Sequence, residues 1–224
     1  MSNHRHIIYA CVALSLLALQ AFAQDAPPPA AAQPCLACHG AQGQGLAAAG
    51  HPRLAGLPAQ YLADQMSAYI DGRRTNAIMA GMAKSLSAEQ IQAIAHYFSA
   101  LSPNIAPSPP PTDLAQAALG QQIAMHGDWA QGIPACFSCH AADGGGIPPE
   151  FPPIVGQPAA YIEAQLKAWQ SGARQGRADD LANTLMQNVA LRMSEAQIKA
   201  VAVWLAALPS AASNANSKDA KTKH

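Results

Sequence analysis

The stretch Cys35-Leu36-Ala37-Cys38-His39 constrains this chain more than any other. Two thiols separated by two residues, with a histidine directly after the second, form the pattern that attaches a c-type haem. Each thiol can add to one vinyl group of a single porphyrin, and the histidine then lies under the iron. A second copy follows at Cys136-Phe137-Ser138-Cys139-His140. Two other chemistries use paired cysteines. Four thiolates can hold one zinc ion, but that leaves both histidines without a task. A redox disulfide of thioredoxin type belongs beside a strand–helix–strand pattern, and no strand-rich pattern flanks either pair.

The surroundings of the two motifs repeat as well. Phe151-Pro152-Pro153-Ile154-Val155-Gly156 answers His51-Pro52-Arg53-Leu54-Ala55-Gly56 at an offset of 100. Pro58, Tyr61, Gln65 and Gly72 recur as Pro158, Tyr161, Gln165 and Gly172. Proline in a first turn and glycine just past the end predict a helix between them. Tyr61, Leu62, Gln65, Met66 and Tyr69 share one face of it. Arg73 to Lys84 read as loop. Ser87-Ala88-Glu89-Gln90 is a capping box that opens a further helix with Ile91, Ile94, Ala95, Phe98 and Leu101 inward. Ser194-Glu195-Ala196-Gln197 repeats the box at an offset of 107, because the loop 173–185 is longer. Residues 24–34 hold three consecutive prolines and predict little helix. Residues 102–111 hold five prolines and read as a semi-rigid linker. Thr112 or Asp113 can cap a helix from about Leu114 to Met125 that the first half lacks. The expected organisation is a leader (1–23), a first domain (24–101), the linker (102–111), a second domain (112–209) and a disordered tail (210–224).

A histidine fills one axial position of each iron, and the residue opposite decides the chemistry. Methionine is the usual partner in electron carriers and raises the reduction potential. Met66 corresponds to Leu166, Met82 to Val189 and Met193 to Leu86, whereas Met125 lies in a segment without a counterpart. Met79 and Met186 answer each other, each eight residues before the serine of its capping box. The histidines offer no matched pair: His51 answers Phe151, His96 answers Val203, and His126 stands alone. The expected ligand sets are therefore Cys35, Cys38, His39 and Met79, and Cys136, Cys139, His140 and Met186, with the histidines and methionines on iron.

Both halves resemble class I cytochromes c, and their tandem arrangement resembles the di-haem cytochrome c4 type. The two C-x-x-C-H motifs, the Pro-x-x-x-Gly stretches 52–56 and 152–156, the two matched methionines and the capped final helices carry this resemblance over about residues 35–101 and 112–209. It implies an all-α fold of two domains, each wrapped around one covalent haem and joined by the Pro-rich linker. It also implies that the carbonyls of Pro52 and Pro152 accept the Nδ1–H of each proximal histidine. Class I domains begin with a helix that crosses the last one. Gly120 fits that crossing in the second half, with Ala124 where an aromatic is usual. The Pro-rich start of the first half leaves little room for such a helix.

An iron bound on both sides exchanges electrons and binds no substrate. The expected function is thus a one-electron relay rather than an enzyme. Its donor would be a periplasmic dehydrogenase or a membrane quinol-oxidising complex, and its acceptor a terminal oxidase. A second reading is the cytochrome subunit of a sulfide- or alcohol-oxidising dehydrogenase complex. A third, a haem peroxidase, needs an open iron. Residues 1–23 carry Arg5, an apolar run from Ile7 to about Leu19, and Ala21-Phe22-Ala23, which predicts export to the periplasm with cleavage before Gln24. The run is short for a membrane span, so the mature chain should have none. Only 12% of residues are charged and the net charge is zero, which argues against a nucleic-acid partner. The first domain balances four basic against four acidic residues, and the second carries five against eight. Arg73, Arg74, Arg174 and Arg177 follow the middle helices; they suit either haem propionates or a solvated surface.

Overall fold

The computed structural model describes residues 27–103, 108–176 and 181–210. The leader, Arg177 and the tail beyond Ser210 lie outside these residues. Eight α-helices are present among them: α1 (Gln33–His39), α2 (Ala59–Ile70), α3 (Ala77–Lys84), α4 (Ala88–Ala100), α5 (Leu114–His126), α6 (Ala159–Ser171), α7 (Leu181–Arg192) and α8 (Glu195–Ala207). Short 3-10 turns join them, and β-structure among the described residues is limited to isolated bridges. None of the described helices is long and apolar enough to cross a membrane.

The repeat fixes where helices start and stop. Ser87 accepts from the Gln90 N–H at 3.2 Å while the Gln90 side chain accepts from the Ser87 N–H at 2.8 Å. Ser194 and Gln197 do the same at the start of α8. Asp113, one of the two predicted caps, accepts from the N–H groups of Ala115 and Gln116 and opens α5. Gly72 and Gly172 take positive φ just past α2 and α6, as the αL stop requires.

Two expectations are corrected. The stretch Arg73–Lys84 is not all loop, because Asn76 caps the Met79 N–H at 2.9 Å and α3 runs from Ala77 to Lys84. Likewise α7 occupies the end of the supposed loop 173–185. Neither segment has a strong apolar stripe, so periodicity alone does not reveal it. The proline-rich start is also less irregular than expected. Pro27–Pro29 are non-helical, but a 3-10 turn at Ala30–Ala32 follows, and α1 carries the first motif.

Each half buries its final helix, by different means. In the second half α5 crosses α8 at Gly120, where a Cβ would sit 2.7 Å from the carbonyl carbon of Ala200 and 2.8 Å from the Trp204 Cβ. One core cluster runs through Ile123, Ile133, Val155, Leu166, Val201 and Leu205. In the first half the 3-10 turn takes the place of that crossing helix. Ala32, with no exposed surface, packs on Ile94 and Phe98 of α4. A separate small cluster joins Ala63, Ile91 and Ala95.

The halves meet about a pseudo-two-fold axis. The Thr75 N–H donates to the Ala173 carbonyl at 2.8 Å, and the Gln175 N–H donates to the Arg73 carbonyl at 2.8 Å. Each bond is the other's image at the offset of 100. The ends of the linker are docked: Ser210 donates to the Pro103 carbonyl at 2.7 Å, and the Ser108 N–H donates to the Ala206 carbonyl at 3.1 Å. Ser210, expected as the first residue of the tail, is buried by this contact.

Candidate haem sites

In the first half α1 presents Cys35, Cys38 and His39 within two turns. The chain then folds back so that the Gly45 N–H donates to the His39 carbonyl at 2.8 Å. That return brings the 51–53 backbone close: a Cβ on Gly45 would lie 2.8 Å from the His51 carbonyl oxygen and from the Arg53 nitrogen. A glycine is therefore needed, both for this approach and for its φ of +84°. Gly146 plays the same part against Phe151 and Pro153. The consequence is the bond that the resemblance implies. The Pro52 carbonyl accepts from His39 Nδ1–H at 2.8 Å, and the Pro152 carbonyl accepts from His140 Nδ1–H at 2.7 Å.

This bond fixes each ring and leaves Nε2 as the free nitrogen for a metal. Burial lowers the pKa of both histidines, with the proline carbonyl opposing it, which favours the neutral imidazole that a metal requires. His51 is held elsewhere: its Nδ1–H donates to the Cys38 carbonyl at 2.9 Å, and its ring centroid lies 6.1 Å from that of His39. Among the described residues no three His, Cys, Asp or Glu side chains converge on a metal position, so the two cysteine pairs do not merge into a four-thiolate zinc site.

The second half shows the cavity wall by wall. Cys136, Cys139, His140 and Met186 line one mostly apolar cleft, with Ile162, Leu166 and Val189 among its walls. Burial pushes the Cys136 thiol up to about 11. Trp169 also lines the cleft, and its buried indole N–H has no hydrogen-bond partner. An apolar slot with one histidine, one thioether, two thiols and an unmet donor fits a flat iron porphyrin with carboxylate edges. The first half contributes to this cleft, since Leu57 and Tyr61 line it too. Met79 stands in the first turn of α3, partly buried. Met66 packs on the Ala63, Ile91 and Ala95 cluster, Met193 lies in the second core and Met125 is exposed, whereas Met82 stands one turn after Met79 in α3 and is also partly buried.

Two arginines assume a role that sequence reasoning missed. Arg74 and Arg174 are only 6% and 4% exposed, which removes the solvated-surface reading. Arg74 donates to Tyr161 Oη at 2.9 Å and to Gln165 at 2.7 Å, across the interface. Arg174 donates to Tyr61 Oη at 3.1 Å and to Gln65 at 3.0 Å in the mirror arrangement. Each guanidinium also covers an aromatic of its own half, Arg74 at 4.7 Å from the Tyr69 ring and Arg174 at 4.0 Å from Trp169. The signal was present in the repeat: Tyr, Gln and Arg recur together at one offset on a face too polar for a core. Arg73, by contrast, pairs with Asp71 at 2.8 Å near the surface.

Fold and site together define a class, a helical domain that clasps a covalent haem from the histidine side, present here twice. The family model for cytochrome c matches residues 30–102 and 117–209, and the chain belongs to the cytochrome c family. Its tandem, di-haem form is of cytochrome c4 type. The solved structure of reduced cytochrome c4 from Pseudomonas stutzeri aligns with a TM-score of 0.68 at 32% identity, over 80% of this chain and 95% of that one. The thiosulfate dehydrogenase electron acceptor of Thiomonas intermedia is 55% identical over 199 residues, 89% of this chain and 87% of that protein. A thiosulfate dehydrogenase structure from Marichromatium purpuratum aligns with a TM-score of 0.71 at 39% identity. It matches 78% of this chain, which spans about a third (36%) of that one. Two covalently attached haem c groups follow from the two tandem domains, and the chain is an electron-transfer protein.

Proposed function

We propose that this chain is a periplasmic relay that takes single electrons from a thiosulfate-oxidising dehydrogenase. It passes them between its haems to a further acceptor such as a terminal oxidase. The observation that carries this reading is the 55% identity, over nearly the whole length, to a protein named as the electron acceptor of such an enzyme. In this reading Cys35 and Cys38 hold one haem and Cys136 and Cys139 the other. His39 and Met79 close the first iron, and His140 and Met186 the second. That Met186 lines the same cleft as His140 supports this. Trp169 and Arg174 are the groups suited to a haem carboxylate in the second half, with Tyr69 and Arg74 their counterparts.

The dedicated-subunit reading is favoured over a free carrier by one observation: the matched part of the Marichromatium structure is about a third of a larger thiosulfate dehydrogenase chain. Export rests on the leader at 1–23, and the N-terminus of exported protein should be Gln24. The direct test mixes the oxidised holoprotein with a thiosulfate dehydrogenase and thiosulfate. Both haems should become reduced, and carbon monoxide should bind the reduced protein poorly. Haems that stay oxidised in the mixture contradict the assigned donor. Rapid stoichiometric carbon monoxide binding contradicts the closed iron.

A further inference from the structure

Besides the matched pair Arg74 and Arg174, a third cation is buried where the halves meet, and the repeat does not match it. Arg53 is 1% exposed. Its Nη1 donates to the Ala55 carbonyl at 2.7 Å and its Nη2 to the Val155 carbonyl at 3.1 Å. Ala55 and Val155 are the same position of the repeat, so the guanidinium straddles the pseudo-two-fold axis. The second half also grips its main chain. The Arg53 N–H donates to Gln157 Oε1 at 2.9 Å, and Gln157 Nε2 donates to the Arg53 carbonyl at 3.0 Å. The equivalent positions hold Pro153 and Leu57, so this loop forms without either polar group.

The charge is retained at a cost. The Nε–H of Arg53 is buried and finds no acceptor among the described residues, which is unfavourable for a buried donor. The ion pairs found among the described residues involve Arg73 and Lys167, not Arg53. Burial pulls its pKa down to about 10, well above neutrality, so it stays protonated. The position is close to both proximal histidines through the chain. Pro52, the His39 acceptor, directly precedes Arg53, and Val155 lies three residues after Pro152, the His140 acceptor.

We propose that Arg53 sets the potential of both haems: its positive charge, buried on the axis with no carboxylate of the described residues paired to it, favours the reduced iron at each site and raises both midpoints. A ferric site carries one more positive charge than a ferrous one, and a fixed cation in a medium of low dielectric disfavours the ferric form. The proposal rests on the two-haem reading, which intact mass checks separately for every variant.

The test is a redox titration of the holoprotein followed in the haem absorption bands. Arg53→Met should lower both midpoints, and Arg53→Lys should restore most of the fall. Arg53→Gln, which keeps a donor for the two carbonyls, should fall like Arg53→Met and serves if the methionine variant does not mature. Gln157→Leu undoes the main-chain grip and keeps the charge, so it should move the midpoints much less. Midpoints unchanged in Arg53→Met or Arg53→Gln overturn the proposal. So does a fall in Gln157→Leu as large as that in Arg53→Met, because loosened packing would then account for it.

Discussion

In the second half a full helix, α5, crosses α8 with no side chain at Gly120, and a single core runs under both. In the first half one 3-10 turn stands there, and two small clusters share the work. Yet the proximal geometry of the two halves agrees closely, with histidine-to-proline bonds of 2.8 and 2.7 Å. Gly45 and Gly146 press on the same backbone positions, and Gly56 and Gly156 each donate to the final helix of their half. The difference teaches that the haem-side loop and the last helix are what the site needs. The crossing helix adds stability without shaping the ligand sphere. A small helical domain has a marginal core by itself, so the first half should rely more on its haem and on the interface.

The largest effect should come from closing the α5–α8 crossing. Gly120→Val would push a branched side chain into the Ala200 backbone and cost about 3 kcal/mol or more. Even Gly120→Ala, which helix propensity alone favours by about 1 kcal/mol, should destabilise. Denaturant unfolding monitored by haem absorption should show one half melting early while the other holds; equal loss in both halves would mean that the helix braces the whole molecule. Next come Arg74→Leu and Arg174→Leu. Each takes the arginine donor from a tyrosine hydroxyl of the opposite half and one of two arginine donors from each glutamine carbonyl, at about 1–3 kcal/mol per variant. Mirror geometry predicts similar losses in thermal unfolding, and a large inequality would show that the interface is not energetically symmetric. The smallest concerns the residue after each histidine. Gly40 takes a φ of +84°, and Ala141 takes +66° at the same place. Ala141→Gly should therefore stabilise the second half by about 1 kcal/mol, whereas Gly40→Ala should weaken the first.

Much of this was legible in the sequence because it is local and repeated. The two C-x-x-C-H motifs, the capping boxes and the Pro–Gly frame of α2 and α6 each depend on a few neighbouring residues. The repeat also pairs Met79 with Met186, which makes them the expected iron ligands. α3 was missed because a short helix held by one cap, Asn76, has no periodic apolar face to betray it, and α7 because its apolar stripe is weak. The interface was missed because Arg53, Gln157, Arg74 and Arg174 find partners roughly a hundred residues away. Side-chain type alone does not tell a buried arginine from a solvated one.

Closure of two irons by matched methionines is tested most directly by the methionine–iron charge-transfer band of the oxidised holoprotein. Met79→Ala and Met186→Ala should each remove about half of the band, and the double variant should remove all of it, since each thioether serves one iron. Met82→Ala should leave the band intact, because its counterpart is Val189. A full band in Met79→Ala or in Met186→Ala, or its loss in Met82→Ala, would contradict the account.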